Sequence, residues 1–208
     1  MIRHLVIFAR APQAGRVKRR LARNIGSLAA ARFYRAILTE QLHRMSRHAG
    51  WQVWLLVTPD NELNHPAWHL NGAHFRVLPQ GRGDLGQRML KPFRTLPPGP
   101  VVLVGSDIPG MRPSHIARAF RLLGQHDLVF GPASDGGFWL IGARRLRPMP
   151  RDLFSGVRWS TRHALVDTRA NVPKPVSVGL ADILDDVDTA HDLRRFQNAV
   201  IAGAKMTA

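Results

Sequence analysis

The chain has no cysteine, only one tyrosine and few acidic residues. The absence of cysteine excludes disulfides, thiolate metal sites and thiol nucleophiles. No apolar run approaches the roughly 20 residues that a membrane-spanning helix needs. The apolar stretch from Leu5 to Ala9 is too short for the apolar region of a secretion signal, so it predicts a first strand. These absences favour a cytoplasmic protein without a membrane span.

Thirty Lys and Arg residues face fourteen Asp and Glu residues, which gives a formal net charge of +16. A charge of this size attracts polyanions, so a non-catalytic nucleic-acid-binding domain is one interpretation. The single tyrosine, the absence of a known nucleic-acid-binding motif and a late acidic cluster count against it, and nucleic acid is not the expected partner. The acidic cluster consists of Asp182, Asp185, Asp186, Asp188 and Asp192.

The segment Val101–Asp107 organises the predicted fold. Four apolar residues, three of them β-branched, precede Gly105, Ser106 and Asp107. This run is typical of a fully buried strand in the middle of a parallel sheet. Asp107 would then lie just past the carboxyl end of a central strand, where open α/β sheets bind ligands and where a carboxylate can hold Mg²⁺. The structural alternative is that Asp107 caps a helix or closes a turn.

Predicted strands alternate with predicted helices through most of the 208 residues. This alternation predicts an α/β fold, a mostly parallel open sheet with helices on both faces. Ser27 is the predicted N-cap of a long helix with Leu28 on its apolar side, and Ser160 is the predicted cap of a helix from 161 to 170. No linker or repeat divides the sequence, so residues 1–208 are expected to form a single domain.

The loop after the first strand is strongly basic. It carries Arg10, Arg16, Lys18, Arg19 and Arg20 beside a glycine, just before a helix. Backbone N–H groups at a helix start, joined by Lys and Arg, form an anion site that suits phosphate. A solvated basic face is the alternative.

Three other segments are candidates for chemistry. Residues 81–86 match the Gly-x-Gly-x-x-Gly dinucleotide pattern, but they follow the third predicted strand, and close approach to a base or ribose or a tight turn is the preferred interpretation. Residues 134–137 form a turn that could aim Asp135 at a substrate. Residues 185–188 offer a second metal ligand to join Asp107, because clustered carboxylates repel each other unless a cation or an arginine compensates. The structural alternative is that the dipole of the following helix stabilises one of these acids.

These segments together resemble a known family across nearly the whole chain. The resemblance rests on residues 8–21, 83–89, 105–109, 131–142, 154–161 and 186–193. The family is the bacterial GT-A-type transferases of unknown function, named as glycosyltransferases or nucleotide-diphospho-sugar transferases. It implies the Rossmann-like GT-A fold of the molybdenum cofactor guanylyltransferase and phospholactate guanylyltransferase groups. It also implies that the first loop binds nucleotide phosphates and that Asp107 binds Mg²⁺ or Mn²⁺. The chain departs from the family at Arg19, where threonine is usual.

The resulting hypothesis is a metal-dependent transferase that uses a nucleoside triphosphate or a nucleotide sugar and a small-molecule acceptor. It favours nucleotidyl transfer onto a phosphorylated acceptor, with glycosyl transfer to a hydroxyl as the alternative. The expected catalytic residues are Asp107, Asp135 and Lys18, and the expected metal ligands are Asp107 and Asp188. The expected nucleotide-binding residues are Ala9, Arg10, Gly15, Arg16, Lys18, Arg20, Gly83, Asp84, Gly86 and Ser106. The expected acceptor-binding residues are Gly136, Gly137, Trp159, Ser160 and Thr161.

Overall fold

A computed structural model describes the backbone of residues 1–206 and the side chains of residues 1–198. The strands are β1 (His4–Arg10), β2 (Gln52–Thr58), β3 (Phe75–Pro79), β4 (Val101–Gly105), β5 (Leu128–Pro132), β6 (Phe138–Ala143) and β7 (Val178–Leu180). The helices are α1 (Arg19–Ile25), α2 (Ser27–Ser46), α3 (Leu85–Thr95), α4 (Pro113–Leu122), α5 (Ala164–Ala170) and α6 (Ala190–Met206). None of the helices in this part of the chain is both long and apolar enough to cross a bilayer.

The strands form one mixed sheet in the order β3-β2-β1-β4-β6-β5-β7. β6 is antiparallel to both β4 and β5, whereas the other pairings are parallel. β4 therefore lies in the middle of the sheet, as its continuous apolar sequence predicts. The predicted mostly parallel sheet is confirmed.

Apolar side chains cover both faces of the sheet, and helices bury them. α2 and α4 contribute Leu38, Leu42 and Ile116 to the core on one face. α3 contributes Met89 and Phe93 to the core on the other face. Alternate residues of each strand point to opposite faces, so strands covered on both sides are apolar at nearly every position. Helices on both faces are confirmed.

Two predicted helix starts are wrong. The N-cap of α2 is Gly26, and Ser27 is already helical and makes no side-chain cap. Leu28 is 58% exposed rather than part of the core. Ser160 adopts a left-handed conformation in a turn, and α5 begins only at Ala164. Gly26 ends α1 and directly precedes α2, so Ser27 lies one residue inside the helix, whereas the chain makes a turn after Ser160 before α5 begins.

Candidate functional site

The candidate site lies where the connections of two neighbouring central strands diverge. β1 pairs with β2 on one side and β4 on the other, and the chain leaves β1 toward β2 but leaves β4 toward β5. The loops after β1 and β4 therefore meet at the carboxyl edge of the sheet, at a topological switch point. They bring Lys18 and Asp107 together although 89 positions separate them.

Lys18 is the centre of the site. Its Nζ donates to Asp107 Oδ2 at 2.7 Å and to Asp188 Oδ1 at 2.6 Å. Its side chain is only 4% exposed, whereas the two carboxylates are about one-third exposed, at 31% and 39%. Lys18 adopts a left-handed backbone conformation immediately before α1, and this geometry turns its side chain into the cluster. The ammonium thus joins the two predicted metal ligands.

The two carboxylates keep Lys18 charged despite its burial. Desolvation by burial lowers the pKa of Lys18, but the negative charges of Asp107 and Asp188 and their hydrogen bonds outweigh it. The pKa of Lys18 is therefore raised above its ordinary value. Arg20 adds a weaker, more exposed contact, with Nη1 3.8 Å from Asp188 Oδ2.

Asp186 brings a third carboxylate to the cluster, and the sequence-based metal assignment did not include it. Oxygen atoms of Asp107, Asp186 and Asp188 lie within 4.8 Å of one another. Burial, followed by repulsion from Asp107 and Asp188, raises the pKa of Asp186 to about 7. One ammonium does not neutralise three carboxylates, and hard oxygen ligands of this kind suit Mg²⁺ or Mn²⁺. The donor set therefore fits a divalent cation.

Tyr34, the only tyrosine, connects the end of β1 to the residue that follows β4. Its hydroxyl accepts from the backbone N–H of Arg10 at 2.9 Å and lies 2.8 Å from Ser106 Oγ. Burial raises the pKa of Tyr34 to about 12. The buried Ser106 is thus engaged by Tyr34. No sequence signal predicts this contact except that Tyr34 is the single tyrosine, because Arg10 ends β1 whereas Ser106 follows β4.

A pocket of about 250 Å³ opens beside Asp107. Its apolar wall lies mainly on the α3 face of the sheet and includes Phe8, Leu85, Met89, Leu103, Phe138, Ile141 and Ala164. Six residues predicted for the catalytic or acceptor role line it, namely Asp107, Asp135, Gly137, Trp159, Ser160 and Thr161. Trp159 packs against Phe138 and Phe154. The residues predicted for the acceptor side therefore largely share one cavity with Asp107.

The turn between β5 and β6 is fixed at the rim of this pocket. Asp135 Oδ1 accepts from the N–H of Gly137 at 2.8 Å, so Asp135 shapes the turn as well as lining the cavity. Ser134 donates its N–H and its hydroxyl to Asp185 Oδ1, at 2.9 and 2.6 Å. These contacts lower the pKa of Asp185 despite the opposing effect of burial. Asp185 therefore ties the turn to the acidic segment that carries Asp186.

Gly136 is required by packing. Its φ is +86°, and a Cβ at this position would lie 2.2 Å from the carbonyl oxygen of Arg162. The carbonyl of Gly136 accepts from the N–H of Leu165 at 3.1 Å. The turn thus packs directly on the segment that carries Ser160 and Thr161, and the two close one side of the pocket.

Other predicted nucleotide-binding residues lie at the end of β1 and on the loop that follows it. Ala9 is buried within β1, and its carbonyl accepts from Gln80. Arg10, at the end of β1, and Gly15 and Arg16, on the loop that follows, are exposed. The two arginine side chains are accessible to a ligand, in contrast to that of Ala9.

The glycine loop after β3 has clear structural roles. Asp84 caps α3 by accepting from the N–H of Gln87 at 2.8 Å. Gly86 lies in the first turn of α3, where a Cβ would be 2.5 Å from Phe154 Cβ. Gly83 is exposed. β3 forms the sheet edge, three positions from β4, so Asp107 does not take the place that the dinucleotide interpretation requires beside this loop.

Comparison with solved structures confirms the Rossmann-like GT-A type of fold. A protein from Desulfovibrio desulfuricans G20 that is named as a nucleotide-diphospho-sugar transferase is 30% identical, with 93% of this chain and 85% of that chain covered and a TM-score of 0.79. A nucleotidyl transferase from Methanothermobacter thermautotroptrophicus is 14% identical, with 97% and 99% covered and a TM-score of 0.62. A Mycobacterium tuberculosis H37Rv protein, Rv0371C, crystallised with manganese is 19% identical, with 94% and 97% covered and a TM-score of 0.52.

No curated protein matches the chain. One family model does match, over residues 41–161, and its description reads "uncharacterized protein conserved in bacteria (DUF2064)". The matched region is more than half of the chain and includes β4, Asp107 and the β5–β6 turn. The chain therefore belongs to the DUF2064 family.

Proposed function

We propose that the protein is a metal-dependent transferase that moves a group from a nucleotide donor to a small-molecule acceptor. The observation that carries this proposal is the cluster of Lys18, Asp107, Asp186 and Asp188 at the switch point of the sheet. A buried ammonium beside three carboxylates is a site for binding and orienting a metal-bound polyphosphate. Residues 1–208 act in this proposal as one domain.

Asp107, Asp186 and Asp188 would hold the divalent cation. The cation would supply charge neutralisation on the donor's phosphate oxygens. Lys18 orients Asp107 and Asp188, and Arg20 with the exposed Arg16 contributes positive charge for the phosphates. The similarity to a Mycobacterium tuberculosis protein crystallised with manganese supports a divalent cation.

Two transfers use this arrangement. Glycosyl transfer is supported by Asp135, a carboxylate in the pocket wall that can accept the proton of a hydroxyl, and by the name of the 30% identical relative. Nucleotidyl transfer is supported by the basic loop after β1, which suits a departing pyrophosphate, and by the fold shared with a nucleotidyl transferase. Both need the same cluster, and they differ in the bond of the donor that breaks.

Thermal unfolding with a panel of donors tests the function and separates the two transfers. Nucleoside triphosphates, nucleotide sugars and NAD are each added with and without Mn²⁺. A ligand present at 100 times its Kd stabilises the folded state by about 2.7 kcal/mol. In a chain of this length this amounts to a rise of roughly 5–10 °C in Tm. A metal-dependent rise with a triphosphate indicates nucleotidyl transfer, and a rise with a nucleotide sugar alone indicates glycosyl transfer.

Two variants connect the result to the cluster. Asp107→Asn should abolish the metal-dependent rise while the protein remains folded. Asp182→Asn is the matched control, because Asp182 belongs to the same acidic segment but pairs with Arg118 instead, at 3.5 Å. An unchanged metal-dependent rise in Asp107→Asn would refute the assignment, as would the absence of any metal-dependent rise in the unmodified protein.

A further inference from the structure

The pocket beside the cluster is small and mainly apolar. Its volume of about 250 Å³ exceeds the roughly 150 Å³ of an engineered cavity that holds benzene, so one ring with a few substituent atoms fits. Four aromatic residues line it, namely Phe8, Phe138, Trp139 and Trp159. Aromatic walls favour the flat face of a ring, by stacking and by burial of apolar surface.

The charged groups of the pocket are all of one sign. Among the residues that line it in the described part of the chain, the ionisable side chains are Asp107, Asp135 and Asp186, and no Lys or Arg is present. The nearest cations of the cluster, Lys18 and Arg20, contact Asp107 and Asp188 and do not line the cavity. The positive charge thus lies on the donor side and the pocket has none of its own.

A bound divalent cation does not reverse this balance. The cation, Lys18 and Arg20 together carry no more positive charge than Asp107, Asp135, Asp186 and Asp188 carry negative charge. The donor's phosphates would further reduce the positive charge available to the acceptor. A phosphate group in the pocket would meet Asp135, which forms no ion pair with the described residues, and this is unfavourable in a partly desolvated site.

We infer that the pocket binds the acceptor and that this acceptor is an unphosphorylated ring-bearing alcohol, neutral or cationic. The inference rests on the proposed function and replaces the phosphorylated acceptor expected from the sequence. The acceptor hydroxyl oxygen forms a bond to the transferred group, and the bond from that group to a donor phosphate oxygen breaks. The leaving phosphate takes the bonding electron pair, and Asp135 takes the hydroxyl proton. The reaction needs no oxidant or reductant.

Three probes with the same ring test the charge preference. Benzyl alcohol, benzylamine and benzyl phosphate share one ring and carry a neutral, a cationic and an anionic head group, respectively. Their binding to the full-length protein with Mn²⁺ is measured by ligand-observed NMR. The alcohol and the amine should bind, and the phosphate should bind at least roughly tenfold more weakly in the pocket, a difference of about 1.4 kcal/mol. The amine should bind more tightly than the alcohol because the lining carboxylates attract its charge, and Asp135→Asn should reduce this difference in affinity.

A pair of variants on α5 locates the probes. Ala164 lines the pocket and is 5% exposed, whereas Ala170, at the other end of the helix, is exposed and does not line it. Ala164→Leu should fill part of the cavity and abolish binding of the alcohol and the amine, and Ala170→Leu should leave both unchanged. Benzyl phosphate bound on the basic donor side would be insensitive to Ala164→Leu.

The outcomes separate this inference from the function on which it rests. Benzyl phosphate that binds as tightly as the alcohol and is displaced by Ala164→Leu would overturn the inference, as would the failure of all three probes to bind. The donor panel is scored independently by its metal-dependent rise in Tm. If the donors bind and the probe preference fails, only the acceptor class is wrong. If no donor binds, the proposed transferase function fails, and with it the role of the pocket as an acceptor site.

Discussion

Replacing Asp186 by asparagine should stabilise the metal-free protein and remove its response to metal. Burial and the neighbouring carboxylates raise the pKa of Asp186 to about 7, whereas its unfolded value is about 3.9. Between these two values the folded chain binds more protons at this position than the unfolded chain. The stability contributed by the protonated form is complete below about pH 4 and is lost as the pH rises through about 7. Asparagine keeps the shape of the side chain and cannot ionise.

The size of the effect follows from the difference between the two pKa values. Each unit corresponds to 1.36 kcal/mol, so about three units give an upper value of about 4 kcal/mol. Asp186→Asn should therefore raise the free energy of unfolding by up to about 4 kcal/mol at about pH 8, and by little at about pH 4. In a chain of this length the change at the higher pH corresponds to a rise of roughly 10 °C in Tm. Urea unfolding with EDTA at both pH values measures it.

Metal should reverse the order of stability. Added Mn²⁺ should stabilise the unmodified protein, because it binds the ionised cluster, and should have much less effect on Asp186→Asn. Asp182→Asn again serves as the control and should change stability by less than about 1 kcal/mol at either pH, since its partner contact is a surface ion pair. If Asp186→Asn is no more stable than the unmodified protein at about pH 8, the argued repulsion among the carboxylates is refuted. It is also refuted if the gain in stability at about pH 4 equals the gain at about pH 8.

Two further substitutions test the cluster and the pocket wall. Lys18→Met removes the buried ammonium and, without metal, should lower the free energy of unfolding by about 3 kcal/mol, which is at the low end for breaking a buried ion pair because both acids are partly exposed. Urea unfolding measures this loss, and added Mn²⁺ should restore part of it. A variant as stable as the unmodified protein would contradict the role of Lys18. Gly136→Ala should lower the free energy of unfolding by about 3 kcal/mol and displace the segment at Arg162. Gly156 also has a positive φ but has open space around it, so Gly156→Ala should lower the free energy of unfolding by only about 1 kcal/mol. Equal losses of Tm in the two variants would show that backbone strain alone acts at Gly136.

The sheet could be predicted because its signal is local. The central strand Val101–Gly105 has the predicted bounds, since a run of apolar residues between Pro100 and Gly105 admits few other structures. Helix starts were less predictable. Ser27 and Ser160 are both of a residue type that is favoured at the N-cap, but the backbone conformation that a cap needs depends on how the neighbouring segments pack. Local sequence therefore predicts which elements exist better than where they begin.

The site was predictable only in part, for a related reason. Parallel strand order implies that the loops after β1 and β4 meet, so proximity of Lys18 to Asp107 could be inferred from the fold. Asp188 and Asp186 reach the same place on a connecting segment that has no helix or strand until Ala190. The sequence shows that the acids are clustered, but not that Asp186 and Asp188 point to Asp107 while Asp185 points to Ser134. That division of roles depends on the path of the connection in three dimensions.

The net charge of +16 and the acidic site act over different distances. Positive charge spread over the surface raises the local concentration of an anionic donor, and it acts within a screening length of about 10 Å at moderate salt. Inside the pocket, contacts of a few ångströms decide the outcome, and there the ionisable lining residues of the described chain are carboxylates. A basic protein can therefore attract a nucleotide and still reject a phosphorylated acceptor. The position of its few acids, rather than its total charge, determines which of its two substrates can be anionic.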